Sequence, residues 1–278
     1  APDMLGSLVY VGGMTLEEAL DIEGVDGTKV GDELERINYR GTSPCPGPSP
    51  RAFVELHIEQ GPVLEAERVT IGAVTGVQGI SWTEISITGE SNHAGTTPMS
   101  LRHDSGYGAT AISAYVRELA LEMGGSQVAT VGRLELHPNL VNVVAGSATL
   151  TVDLRNTIEA NLLEAENKLN DFLTNLSSKE GLAIEKRELA RFEPVDFSEQ
   201  VVSTVEDIAS GLGHSVMRLP SGAGHDAQMM ARVCPTGMVF VPSHKGISHN
   251  PQEHTDHILL RSSQSLPYYT SNHTSEQP

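Results

Sequence analysis

One stretch of the chain alternates apolar and polar residues without a break: Ala148, Leu150, Val152 and Leu154 are separated by Thr149, Thr151 and Asp153. Strand side chains point to opposite faces at period two, so this segment has one dry and one wet face, and the dry face needs a covering layer. The neighbouring sequence supplies one. Ile85 and Ile87 alternate with polar residues in an earlier strand. Asp104 to Met123 carries Ile112, Tyr115, Val116 and Leu119 on one helical stripe. Val128 to Leu136 reads as a strand, Leu162 to Leu173 as a helix with Leu162, Leu169, Phe172 and Leu173 inward, and Ala183 to Glu188 as a last strand. The order β-α-β-β-α-β is the ferredoxin-like pattern, two helices on one face of an antiparallel sheet.

The flanks have a different rhythm. Phe197 to Leu212 is helical, with Val201, Val205 and Ile208 at core spacing, and Val216 to Leu219 is a short strand. Asp226 to Val233 reads as a helix and Gly237 to Val241 as a buried strand ending at Pro242. Helices alternating with short apolar strands indicate an α/β sheet. Near the front, Thr15 followed by Glu18 is a capping box. That explains the Glu17-Glu18 pair as first-turn acids complementing the helix dipole rather than as chemistry. Thr42 to Pro50 is a loop rich in proline, glycine and serine, and Val63 to Gly79 is a crossover. The expected organisation is an α/β domain formed by residues 1–76 and 192–260, with residues 77–191 inserted as a separate unit. Residues 261–278, rich in Ser and Thr and without periodicity, are expected to be disordered.

With 18 Lys and Arg against 36 Asp and Glu, the net charge is −18. A surface this acidic argues against nucleic acid and anionic membranes as partners, because both attract basic proteins. No apolar run is long enough to span a bilayer and no signal-peptide pattern opens the chain. Cys45 and Cys234 share no metal-type spacing, and free thiols in a reducing cytosol are the expectation, with the protein cytoplasmic.

The residues with chemistry to offer cluster in turns. His57 stands between Leu56 and Ile58, flanked by Glu55 and Glu59 and closed by Gly61-Pro62. A neutral imidazole at a strand end beside carboxylates suits a metal, although a lone histidine is more often a solvated or core residue. A second histidine, His249, also follows an apolar strand, in Gly246-Ile247-Ser248-His249-Asn250-Pro251. Two such turns can converge at one sheet edge.

Four stretches, His57 to Pro62 (HIEQGP), Gly89 to Met99 (GESNHAGTTPM), Ser221 to Gln228 (SGAGHDAQ) and Gly246 to Pro251 (GISHNP), occur in this order. Together they resemble the N-carbamoyl-L-amino-acid hydrolase and allantoate amidohydrolase family, two-metal amidohydrolases of the larger aminopeptidase/carboxypeptidase-like group. The likeness runs from about Pro2 to Leu260. It implies an aminopeptidase-like catalytic α/β domain and an inserted ferredoxin-like lid through which the chain forms a homodimer. It also implies metal-dependent cleavage of a linear C–N bond in an N-carbamoyl-L-amino acid or an allantoate-like ureido acid.

The resemblance assigns roles as well. His57 is a ligand of one ion and His249 of the other, zinc or manganese, with cobalt or nickel as further options. His93 polarises the attacked carbonyl, from its own chain or from a partner's lid. Asn142 and Arg155, placed on the two lid strands around the Val143 to Ser147 turn, clamp the substrate carboxylate, a task that suits a guanidinium. Gln60, Gly224 and His225 present donors to the substrate, and Asp226 is a candidate N-cap of the helix that follows. The family's first metal histidine, bridging aspartate and Glu-Glu pair find no match, since no histidine precedes His57. The expectation is therefore the carboxyl-terminal portion of such an enzyme, holding at most one ion weakly and not hydrolysing substrate at an enzymatic rate. The alternative is a catalytically silent module that dimerises or binds a ligand.

Overall fold

In the computed structural model, which describes residues 4–24 and 26–256, three short helices lead into the first strand. They are α1 (Leu5–Tyr10), α2 (Leu16–Asp21) and α3 (Val30–Arg36). Then come β1 (Phe53–Ile58), α4 (Val63–Glu67), β2 (Ile71–Val77), β3 (Gly79–Thr88), α5 (Ser105–Met123), β4 (Val128–His137) and β5 (Ser147–Asn156). The chain continues through α6 (Glu159–Glu180), β6 (Ala183–Phe192), β7 (Val195–Asp196), α7 (Glu199–Gly211), β8 (Val216–Ser221), α8 (Asp226–Met230) and β9 (Thr236–Val241). It divides into two units, Gln78–Pro194 and the remainder, so the fold is mixed α/β with two sheets. No helix among the described residues is long and apolar enough to cross a membrane.

In the unit Gln78–Pro194, four strands pair antiparallel in the order β4-β5-β3-β6. The alternation in β5 is realised side chain by side chain: Ala148, Leu150, Val152 and Leu154 are buried and every residue between them is partly exposed. They meet Ile112, Val116 and Leu119 of α5 and Leu162, Leu169 and Leu173 of α6 in one cluster. Each such aliphatic side chain contributes about 1.5–3 kcal/mol by leaving water. The Tyr115 ring stacks on Phe172 at 3.9 Å, and its hydroxyl donates to the Lys168 carbonyl at 3.1 Å. Both α6 and β6 outrun the sequence reading; α6 stops where Gly181 takes φ 63°, a conformation glycine adopts at little cost.

The other unit has a five-stranded sheet in the order β1-β9-β2-β7, with β8 pairing on β2. β1 lies parallel to β9, β2 runs antiparallel to β9 and β7, and β8 is parallel to β2. Val202, Val205 and Ala209 of α7 join Val74, Val77, Met238, Val239, Phe240 and Val241 of the sheet in its core. The Thr15 hydroxyl accepts from Glu18 N–H at 3.2 Å while the Glu18 carboxylate accepts from Thr15 N–H at 3.0 Å, the reciprocal capping box. The Thr15 hydroxyl also donates to Glu18 Oε2 at 2.7 Å, and this bond together with the Thr15 N–H holds the Glu18 carboxyl below its usual range. The segment expected to be a crossover, Val63 to Gly79, contains α4 and the buried strand β2. α8 ends at Met230, three residues before the expected Val233. The disorder expected for 261–278 lies outside the described residues.

Candidate functional site

Because β1 and β9 run parallel in register from Phe53↔Thr236 to Ile58↔Val241, their carboxyl ends finish side by side. Ligands of α/β sheets gather beyond such ends. The turns that follow are the HIEQGP and GISHNP stretches, and hydrogen bonds tie them together. Glu59 N–H donates to the Val241 carbonyl at 2.9 Å and Gln60 N–H to Ser243 Oγ at 3.0 Å. The Gln60 amide nitrogen lies 3.0 Å from Ser248 Oγ and 3.2 Å from His249 Nε2. An amide nitrogen only donates, so the Nε2 of His249 holds its lone pair toward Gln60. Backbones touch as well. Gly246, at φ 65°, sits where a Cβ would lie 2.7 Å from Pro62 N.

Glu59, between the histidine and the turn, is fully occupied. Its Oε1 accepts from Val63 N–H at 2.7 Å and its Oε2 from Leu64 N–H at 2.9 Å, satisfying two orphan donors of α4. One turn on, Glu65 accepts from Lys245 N–H at 2.7 Å and lies 3.3 Å from His244 Nδ1, so α4 also fastens the segment leading to His249.

Behind the turns lies a cluster that the sequence reading did not assemble. Glu55 and His57, two residues apart on β1, share a face, and His225 comes over them. One ligand atom from each of the three lies within 4.8 Å of the others, close enough to hold a metal ion. The rings of His57 and His225 meet edge to face at 4.7 Å, and Phe240 backs His225 at 5.7 Å. His225, expected to touch substrate, is only 4% exposed. Its Nε2 is 2.7 Å from Ser221 Oγ, and its Nδ1 is 3.6 Å from Glu55 Oε1, an ion-pair distance longer than an ordinary hydrogen bond. The other Glu55 oxygen accepts from Ala227 N–H at 2.8 Å. Burial pushes the Glu55 carboxyl up, but the His225 contact, the Ala227 N–H and the nearby imidazoles outweigh it and hold the group below its usual range.

His57 fits an ion best of the three. Its Nδ1 lies 2.8 Å from the Ile58 carbonyl, which can only accept, so Nδ1 carries the proton and Nε2 keeps a lone pair. The donor set of imidazole and carboxylate suits a divalent cation of the zinc or manganese type. His249 is exposed and is not one of the three clustered residues. Gly224 is exposed, close to the Met4 side chain. Asp226 is not the N-cap; His225 takes that position, and Asp226 Oδ1 instead accepts from Ser7 Oγ at 2.6 Å.

Three predicted residues belong to the unit Gln78–Pro194. His93 and Asn142 come together there: His93 bridges to Val143, and Ala94 N–H donates to the Asn142 carbonyl at 2.9 Å. Asn142 stands in the connection between β4 and β5, not on a strand, because the β4–β5 ladder stops at His137↔Ser147. Gly95 N–H donates to His93 Nδ1 at 3.1 Å, so the neutral ring carries its proton on Nε2 as a donor. Arg155, on β5, already holds a carboxylate: Nε and Nη2 grip Asp153 at 2.8–3.1 Å, and the guanidinium lies 5.8 Å from the Trp82 ring centroid.

Fold and site thus define a mixed α/β protein with a Glu55–His57–His225 cluster, in which the Nε2 lone pair of His57 suits a metal, beside two interlocked turns. Residues 5–265 match Peptidase family M20/M25/M40, and the chain belongs to that family. Among curated relatives, an N-carbamoyl-L-amino-acid amidohydrolase of Rhizobium meliloti is 39% identical over 91% of this chain and 61% of its own length. The allantoate amidohydrolase of Escherichia coli strain K12 is 42% identical over 74% of this chain and 50% of its own. The chain therefore spans about half to three fifths of these relatives. Among solved structures, an amidase of the hydantoinase/carbamoylase family from Burkholderia multivorans superposes with a TM-score of 0.96 at 40% identity. That match covers 100% of this chain and 68% of the other.

Proposed function

We propose that the protein is a metal-dependent amidohydrolase that cleaves a linear C–N bond of an N-carbamoyl-L-amino acid or an allantoate-like ureido acid. The substrate class comes from the names of relatives that match most of the chain. The observation that carries the metal-dependent part is the Nε2 of His57, left with its lone pair while Nδ1 is committed to Ile58. A divalent ion, zinc or manganese, held by His57 and His249 would supply Lewis-acid polarisation of the substrate carbonyl.

The chain's own residues do the rest. Gln60 joins the two histidine turns and offers an amide to a ureido group, as does the backbone around Gly224. His225 stabilises the wall of the site. His93 donates from Nε2 to a carbonyl oxygen on which charge develops. Asn142 and Arg155 recognise a carboxylate, and the grip of Arg155 on Asp153 is the geometry such recognition uses. The unit carrying them is proposed to be a ferredoxin-like lid through which two copies associate.

The test is ammonia release from N-carbamoyl-L-amino acids and from allantoate, with manganese or zinc added, for the protein and for its His57→Ala variant. Metal-dependent turnover that falls to background in the variant supports the proposal. Turnover that survives both chelation and His57→Ala overturns it, and so does a metal-loaded protein that neither turns over nor binds either substrate.

A further inference from the structure

We propose that Ser221, His225 and Glu55 form an orienting array for His57 and are not themselves ligands of the ion. The inference rests on the reading of His57 as a metal-binding histidine. Three observations carry it. First, the atoms an ion would need are already engaged: His225 Nε2 with Ser221 Oγ at 2.7 Å, and Glu55 Oε2 with Ala227 N–H at 2.8 Å. The remaining Glu55 oxygen faces His225 Nδ1 at 3.6 Å. Second, the Ser221–His225 engagement is buried, Ser221 being 1% and His225 4% exposed, so breaking it leaves polar atoms without water to replace the lost partner. Third, the His225 ring has a use that needs no lone pair. It stands edge to face on His57 at 4.7 Å, backed by Phe240 at 5.7 Å.

His57 is thus fixed twice. The Ile58 carbonyl sets its tautomer, and the His225 ring blocks rotation of the imidazole on one side. The array in turn fixes His225: Ser221 holds one edge of the ring, Glu55 the other, and the Glu55–Ala227 bond locks the start of α8 on which His225 sits. Outer partners of this kind tune a ligand's direction without touching the ion, and losing one costs about 10–100-fold in metal affinity. A true ligand costs far more. That difference makes the two roles separable.

Two measurements decide it. Long-range 15N–1H spectra of the metal-free protein read the tautomer of each imidazole. They should show His57 as a single Nδ1–H tautomer in the wild type and as an exchanging mixture in His225→Gln, which keeps an amide for Ser221 and Glu55 but removes the ring. Cobalt(II) titration followed by visible absorption should show wild-type binding, none in His57→Ala, and binding weakened about 10–100-fold in His225→Gln. Ser221→Ala, which removes little volume, should shift both readouts the same way by less and guards against a misfolded His225 variant. Loss of cobalt in His225→Gln as complete as in His57→Ala would make His225 a ligand and overturn the inference. So would an unchanged His57 tautomer in both variants. If the wild type takes no cobalt, the metal reading fails by itself and the tautomer spectra still decide the orienting role.

Discussion

Replacing Glu59 by alanine tests whether the acid inside the HIEQGP turn is structural. Both its oxygens accept N–H groups of the first turn of α4, at 2.7 and 2.9 Å, and the N-cap residue Pro62 makes no side-chain cap bond of its own. A lost helix cap costs about 0.5–2 kcal/mol, and a carboxylate near a helix N-terminus adds about 0.3–1 kcal/mol. For a partly exposed group these combine to about 2 kcal/mol for Glu59→Ala. Glu59→Gln keeps one acceptor oxygen and loses the charge, so about half that is expected. In a unit of this size, about 2 kcal/mol lowers Tm by about 4–8 °C. Differential scanning calorimetry should show the shift in one of two transitions, because the cap lies wholly within one unit. The loosening should also travel. Glu65 on α4 accepts from Lys245 N–H, so hydrogen exchange at Lys245 should accelerate in Glu59→Ala. An unchanged Tm in the alanine variant would refute the capping argument. Lost turnover in Glu59→Gln at wild-type Tm would show that the acid serves chemistry instead.

Other expectations follow from contacts of the same kind. Gly246→Ala places a Cβ 2.7 Å from Pro62 N at φ 65°, so the two turns must part; about 3 kcal/mol is expected from left-handed strain and overpacking together, read by urea unfolding. Leu150→Ala, at a fully buried position between α5 and α6, should cost about 2–5 kcal/mol, and a smaller loss would mean that the cluster is poorly packed. Tyr115 is pushed above the usual tyrosine range chiefly by burial, with Glu122 and Asp171 adding to the effect against Lys168. A raised folded value means stability is fully present below the unfolded value of about 10 and is lost as pH rises through the folded one. Tm measured from pH 8 upward should therefore fall more steeply in the wild type than in Tyr115→Phe, and parallel curves would remove Tyr115 as the cause.

The elements legible in the sequence were those with two unlike faces. β5 shows its period because one side meets helices and the other does not, and α5 and α6 are long enough for a stripe to repeat. α1, α3 and α4 have five to seven residues each, less than two turns, so no period can establish itself. β2 is nearly all buried and carries Gly72 and Gly76 where Leu219 and the Val195 carbonyl press in; its glycines imitate a loop. The site divides along the same line. The motif turns were legible because their residues adjoin one another along the chain. Glu55 was not, although its spacing from His57 puts both on one face of β1, because spacing says nothing about what arrives from outside the strand. His225 reaches that face only because β8, the Ser221–His225 turn and α8 carry it there, and a bond between Ser221 and His225 forms only in that turn. An acid two residues from a candidate ligand on a strand is therefore worth following to the third side chain that the topology brings against it.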